Sequence, residues 1–228
     1  MDRRQVLKNL GYGAGFLVAT PTVISLLQSC SNEPDWQPTF LSVGQGFALK
    51  QIVDLMIPSD PNIPGAVDIG AHTFIDAYWN EVTPTEHDLP VAEVQNSYGQ
   101  LRQHIPVLWS QFEALYGARY EKELDKGTAE DYDALLAEFL KADKEQMQAY
   151  GQELMGFYRQ ADADSFPSIS NEAAAYGLLT TIRGMAMWAW KSSEQIGKNV
   201  LWYDPVPGQQ IGCINLGEAG NNGKVMSL

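Results

Sequence analysis

The stretch from Ser170 to Lys191 constrains the fold more than any other. It runs through Ala173-Ala174-Ala175-Tyr176-Gly177-Leu178-Leu179 to Trp188-Ala189-Trp190, with Arg183 as the sole charge between Glu172 and Lys191. Ser170 is suited to cap a helix here, because its hydroxyl can accept from backbone N–H groups that have no carbonyl partner in the first turn. A helix that is apolar nearly all round is either the buried centre of a bundle or one side of an interface with another protein. Arg183 in that setting is either paired with a carboxylate of the same chain or available at a partner surface.

The remaining periodicities supply neighbours for it. Ser42 is a plausible cap, and Leu49, Ile52, Val53 and Met56 fall at helical spacing before Pro58 stops the stripe. Ile57-Pro58-Ser59-Asp60-Pro61-Asn62-Ile63-Pro64-Gly65-Ala66 reads as a loop. A second helix carries Ala71, Ile75, Tyr78, Trp79 and Val82 and closes at Thr83-Pro84. Val94, Tyr98, Leu101, Ile105, Leu108, Phe112 and Leu115 mark a long amphipathic helix, in which Pro106 predicts a kink or split near Arg102. Thr128 followed by Asp131 marks another start. Tyr132, Leu135, Leu136 and Phe139 then face the core, and Met147, Tyr150, Leu154, Phe157 and Tyr158 carry a stripe to Arg159 before a break at Phe166-Pro167-Ser168. No strand series is present. The expectation is an all-α fold, a single bundle of about five or six helices over residues 42–199, with an extended C-terminal tail over 200–228. Residues 31–41 form a tether in which Trp36 and Phe40 are expected to dock on the bundle.

Residues 1–30 have a different logic: a basic head, a mildly apolar middle and a small-residue end, the order of an export signal. Arg3-Arg4, Val6-Leu7 and Lys8 resemble the twin-arginine signal, with Asp2 where a hydroxyl residue is usual. Leu27-Gln28-Ser29-Cys30 is similar to a lipobox, in which cleavage falls before a lipid-bearing cysteine; Gln28 is atypical there. Two or more acyl chains on Cys30 give lasting attachment to the periplasmic side of a bacterial membrane. The other reading is an uncleaved anchor helix over residues 10–27, which is just long enough to span. Gly11, Gly13 and Gly15 sit inside the signal with no strand before them, so they do not form a nucleotide loop.

Without those thirty residues the chain holds 12 basic and 27 acidic residues, a charge of −15. Such a chain is repelled by nucleic acid and anionic lipid headgroups, and its natural complement is a basic or neutral protein. With Cys30 consumed by lipid, Cys213 is the only thiol, so there is no internal disulfide framework and stability must come from packing. Cys213 itself is either buried as a small apolar group or turned to a partner. Residues for catalysis are scarce. His72, His87 and His104 lie far apart, and none has a second ligand one helical turn away. Asp162-Ala163-Asp164 lacks a calcium-type loop and reads as a solvated turn. Haem-attachment, dinucleotide and nucleophile-elbow motifs are absent. The expectation is an accessory or binding protein with no catalytic, cofactor or metal residues of its own.

The tail narrows this. In Trp202-Tyr203-Asp204-Pro205-Val206-Pro207-Gly208-Gln209-Gln210-Ile211-Gly212-Cys213, the prolines forbid helix and the glycines permit turns. An extended apolar path of this kind suits lying along another protein. This ending resembles that of the small subunit of gluconate 2-dehydrogenase, the subunit 3 family. Similarity continues in Ile57-Pro58, Pro64-Gly65-Ala66 and Phe74-Ile75-Asp76. The resemblance implies a non-catalytic partner of a flavoprotein of the glucose-methanol-choline (GMC) oxidoreductase type, which oxidises sugars, glycosides or sugar acids outside the cytoplasm. It implies FAD in that partner and, in some complexes, haem c in a cytochrome subunit. It also implies that the small subunit carries the export signal for both, with Trp202, Tyr203, Asp204, Pro205, Pro207, Gly208, Ile211, Gly212 and Cys213 as the partner interface. The competing reading is an independent all-α lipoprotein that acts as a binding or scaffold protein. Cys30→Ala is expected to leave the fold intact and to abolish fatty-acid labelling; equal labelling of variant and wild type would exclude the lipoprotein reading.

Overall fold

Short polar side chains decide where the helices begin. A computed structural model of the chain describes residues 36–81, 92–159, 168–201 and 215, the side chains of 92–103 excepted. Seven α-helices run through these residues: α1 (Val43–Met56), α2 (Ala71–Glu81), α3 (Ala92–Tyr120), α4 (Ala129–Leu140), α5 (Lys144–Arg159), α6 (Asn171–Ser192) and α7 (Glu194–Asn199). A 3-10 turn, Leu124–Lys126, joins α3 to α4. No strand occurs among the described residues, in keeping with the all-α expectation. The helices belong to one compact unit that begins at Gln37. The export signal, Thr83-Pro84, His87, Asp162 to Asp164, Phe166-Pro167, the side chains of Val94, Tyr98 and Leu101, and residues 202–214 lie outside the described residues.

The expected caps are in place. Ser42 accepts from the Gln45 backbone at 3.2 Å while Gln45 accepts from the Ser42 N–H at 3.1 Å. Thr128 and Asp131 make the same reciprocal box, and Ser170 accepts from the Ala173 N–H at 3.2 Å. Two further caps accompany a count of seven helices among the described residues, against the expected five or six. Asp143 accepts from the Gln146 N–H at 2.8 Å and separates α5 from α4, and Ser193 accepts from the Ile196 N–H at 3.3 Å and opens α7.

Pro106 does not split α3, which continues unbroken on both sides of it. The ring removes one backbone hydrogen bond and crowds the preceding turn, at a cost of about 3 kcal/mol. Ile105, Leu108, Trp109 and Phe112 around it are buried. Each such side chain contributes about 1.5–3 kcal/mol, so the packing of this segment offsets the proline.

α6 is the central element. It packs against each of the other six helices. The reason is the size of its side chains: Ala173, Ala174 and Ala175 are fully buried, and Gly177 leaves room for Leu154 of α5. A Cβ at residue 177 would lie 2.6 Å from Leu154 Cδ2. The start of α6 is tied to α5 by Glu153, which accepts from the Ser170 N–H at 2.6 Å and from its hydroxyl at 2.9 Å.

Two polar devices fix the approach to α1 and α2. Asp76 is buried in α2, and its carboxylate accepts from the backbone N–H groups of Thr39, Phe40 and Leu41 at 2.7, 3.1 and 2.9 Å, and from the Thr39 hydroxyl at 2.8 Å. This holds the Phe40 ring over Trp79, with centroids 6.2 Å apart, so Phe40 docks as expected. The loop between α1 and α2 folds back on itself through Ala66 N–H to the Ile57 carbonyl at 2.8 Å. Gly65 is required at that crossing: a Cβ there would meet Ser59 N, Ile57 O and Pro58 C at 2.6, 2.7 and 2.8 Å, all backbone. Trp190 of α6 then donates its indole N–H to the Pro64 carbonyl at 2.9 Å.

Asp76→Asn keeps the shape but replaces one acceptor oxygen with a donor facing N–H groups. It is expected to cost about 2 kcal/mol and to lower the melting temperature by about 4–8 °C in a chain of this size, followed by circular dichroism. An unchanged melting temperature would show that the 39–41 segment adds nothing to stability.

Candidate partner-docking surface

α6 has more apolar side chains than its buried side can use. Ile182, Ala186 and Ala189 point into the bundle, while Arg183, Gly184, Met187 and Trp188 recur at spacings of one, three and one on the open side. Met187 is 46% exposed and Trp188 50%. Exposed large apolar side chains gathered on one face mark contact sites more often than chance surface.

Neighbouring helices complete the face. On one side, Phe74 and Tyr78 of α2 meet the Trp188 ring edge-on, with centroids 5.1 and 5.5 Å away, and Phe74 is itself 37% exposed. On the other side Met187 and Arg183 line a groove of about 310 Å³ with Leu55 and Ile57 at the end of α1 and Leu136 and Leu140 of α4. The aromatic cluster and the groove adjoin at Met187 and Trp188, which are consecutive in α6.

Arg183 stands at this junction. It is exposed, and it forms no ion pair among the described residues. The pairs that do form join Arg119 to Glu138, Lys122 to Asp131, Lys126 to Asp125 and Lys198 to Glu194. Of the two readings of Arg183, availability at a surface is the one the described residues fit. Arg183 projects from the open side of α6, and it lines the same groove as Asp133 without an ion pair to it.

The described histidines serve packing. His72 and His104 are both buried. Burial, reinforced by the Lys50 ammonium, pulls His72 down to about 4, and burial likewise lowers His104, whose ring packs against Phe157 and Tyr158 at 4.8 and 5.0 Å. Both are neutral at pH 7. Among the described residues no group of three His, Cys, Asp or Glu side chains is placed to hold a metal ion. No described helix is long and apolar enough to cross a membrane.

The anticipated site residues and the observed face differ. Arg3, Arg4, Cys30 and the tail residues Trp202, Tyr203, Asp204, Pro205, Pro207, Gly208, Ile211, Gly212 and Cys213 lie outside the described residues. Phe74, Met187, Trp188 and the groove were missed by sequence reasoning. Tyr78, on the apolar stripe of the second helix, is half-buried and turned toward Trp188. The one usable signal was the surplus of apolar residues around α6.

Fold and surface together define an all-α protein with an open apolar contact face on its central helix. The chain belongs to the family described as gluconate 2-dehydrogenase subunit 3, whose model matches residues 45–208. That span runs from the first turn of α1 past the end of α7 and into the tail, and membership makes the chain a small subunit of a dehydrogenase complex. No curated protein and no solved structure matches it.

Burial of His72 has a measurable consequence. The unfolded imidazole titrates near 6.5 and the folded one near 4, so the unfolded state binds more protons between those values and stability rises with pH across that window. The melting temperature is expected to fall on acidification from pH 6.5 to pH 4, with His104 adding in the same direction, and His72→Leu should flatten the slope. Identical slopes in variant and wild type would place the acid sensitivity elsewhere.

Proposed function

We propose that this chain is the non-catalytic small subunit of a membrane-associated, FAD-dependent dehydrogenase of the GMC type that acts on a sugar, a glycoside or gluconate. Its work is to escort the catalytic flavoprotein through export and to stabilise it afterwards. The observation that carries the reading is the family match over residues 45–208. The open face of α6 supports it, because a chain that lives in a complex has a reason to keep Met187 and Trp188 in solvent. FAD would sit in the large subunit, and a cytochrome with haem c would accept the electrons where a third subunit is present.

Export and attachment rest on the sequence. Arg3 and Arg4 form the twin-arginine signal of the pair, and a lipid on Cys30 holds the complex to the periplasmic side of the membrane. Because this route moves folded cargo, the flavoprotein must be bound before transport. The tail from Trp202 to Cys213 is a clasp that lies along the large subunit.

The test replaces Arg3 and Arg4 with Lys and follows dehydrogenase activity and flavin in periplasmic and cytoplasmic fractions. Both proteins are expected to stay in the cytoplasm, although the flavoprotein is unaltered. Normal export of the flavoprotein would defeat the escort role. A chain ending at Asn199 is expected to be exported alone, and its normal co-export with the flavoprotein would move the clasp from the tail to the helices.

A further inference from the structure

Charge is distributed unevenly over this protein in a way that singles out one face. The whole chain carries −13, and residues 121–153 hold ten carboxylates against four lysines. α6 has no carboxylate after Glu172, and its open side presents Arg183 beside Met187 and Trp188. The groove under Arg183 has apolar walls, a second cation in Lys141 and one carboxylate in Asp133. A guanidinium with no ion pair among the described residues, beside an apolar trough, is a two-part recognition element, because the trough takes an apolar side chain and the guanidinium takes a carboxylate in bidentate geometry.

We infer that the groove between α1, α4 and α6 receives a segment of the large subunit that presents a bulky apolar side chain with an Asp or Glu close beside it. The apolar group fills the space lined by Leu55, Leu136 and Met187, and the carboxylate pairs with Arg183. This rests on the small-subunit reading above and adds to it the chemistry of the contact. A volume of about 310 Å³ is at the small end of the range for ligand sites and suits one or two side chains rather than a large cofactor. The aromatic cluster of Phe74, Tyr78 and Trp188 flanks the groove and extends the apolar area that the same partner covers. A second copy of this chain fits less well, since it would bring another −13 against the first.

The test places a photoreactive benzoylphenylalanine at Met187 in the full chain, expressed with its natural partners, and identifies the cross-linked peptide after irradiation of membranes. The exposure of Met187 makes the replacement compatible with folding, and circular dichroism of the purified chain checks this. A peptide from the flavoprotein that contains an acidic residue next to an apolar one supports the inference. A peptide from residues 202–228 of this chain, from a second copy, or from a flavoprotein segment without a carboxylate overturns it.

Binding of the purified flavoprotein to Arg183→Gln is the second arm. Affinity is expected to fall about tenfold or more, with a weaker dependence on salt than wild type, and Arg183→Lys to recover part of the loss. Equal affinities for wild type and Arg183→Gln would overturn the groove while leaving the small-subunit reading in place. If no flavoprotein binds wild type at all, both fail together.

Discussion

The packing of α6 governs the rest because six helices can gather around one only when its own side chains hold them at short range. Ala173, Ala174, Ala175 and Gly177 set that range, and Leu154 occupies the space that a larger side chain would take at residue 177. The consequence is a division of labour along one helix. Its first half is so thin that neighbours enclose it, and its second half, with Met187, Trp188 and Trp190, is broad enough to emerge at the surface. The same sequence therefore supplies both the centre of the bundle and its contact face.

Polar contacts between distant segments then fix how that face is presented. Asp76 gathers three consecutive N–H groups and a hydroxyl from the chain ahead of α1, which locks α2 against it and sets the positions of Phe74 and Tyr78 two residues either side. Glu153 holds the start of α6, and the Trp190 indole holds its end against the Pro64 carbonyl. Gly65 is the only residue type compatible with the crossing that brings Pro64 there.

Much of this was legible in the sequence and some was not, for identifiable reasons. Caps at Ser42, Thr128 and Ser170 are local, needing only a hydroxyl and the N–H three residues on, so they could be placed without a fold. The apolar stripes of α1 and α4 were legible for the same reason. Pro106 does not split α3, because its local penalty is offset by the burial of Trp109 and Phe112, which depends on partners elsewhere in the chain. The role of Asp76 could not be read locally, since its donors lie 35–37 residues away. The open face was half legible: the surplus of apolar residues on α6 was visible, but which side stays uncovered depends on where α1, α2 and α4 come to rest. Arg183 was weighed as a partner residue, and only the three-dimensional arrangement shows it exposed with no ion pair among the described residues.

The clamp at both ends of α6 has a consequence for assembly. Met187 and Trp188 are mounted on a helix that cannot rotate or slide without breaking the Glu153 and Trp190 hydrogen bonds, so the face exists in its final form before any partner arrives. Little ordering entropy remains to be lost on association, which favours tight binding from a modest area. The same rigidity denies the isolated chain any means of folding its apolar surface away. Unpartnered copies keep that surface in water, and covering it is what association with a partner would gain.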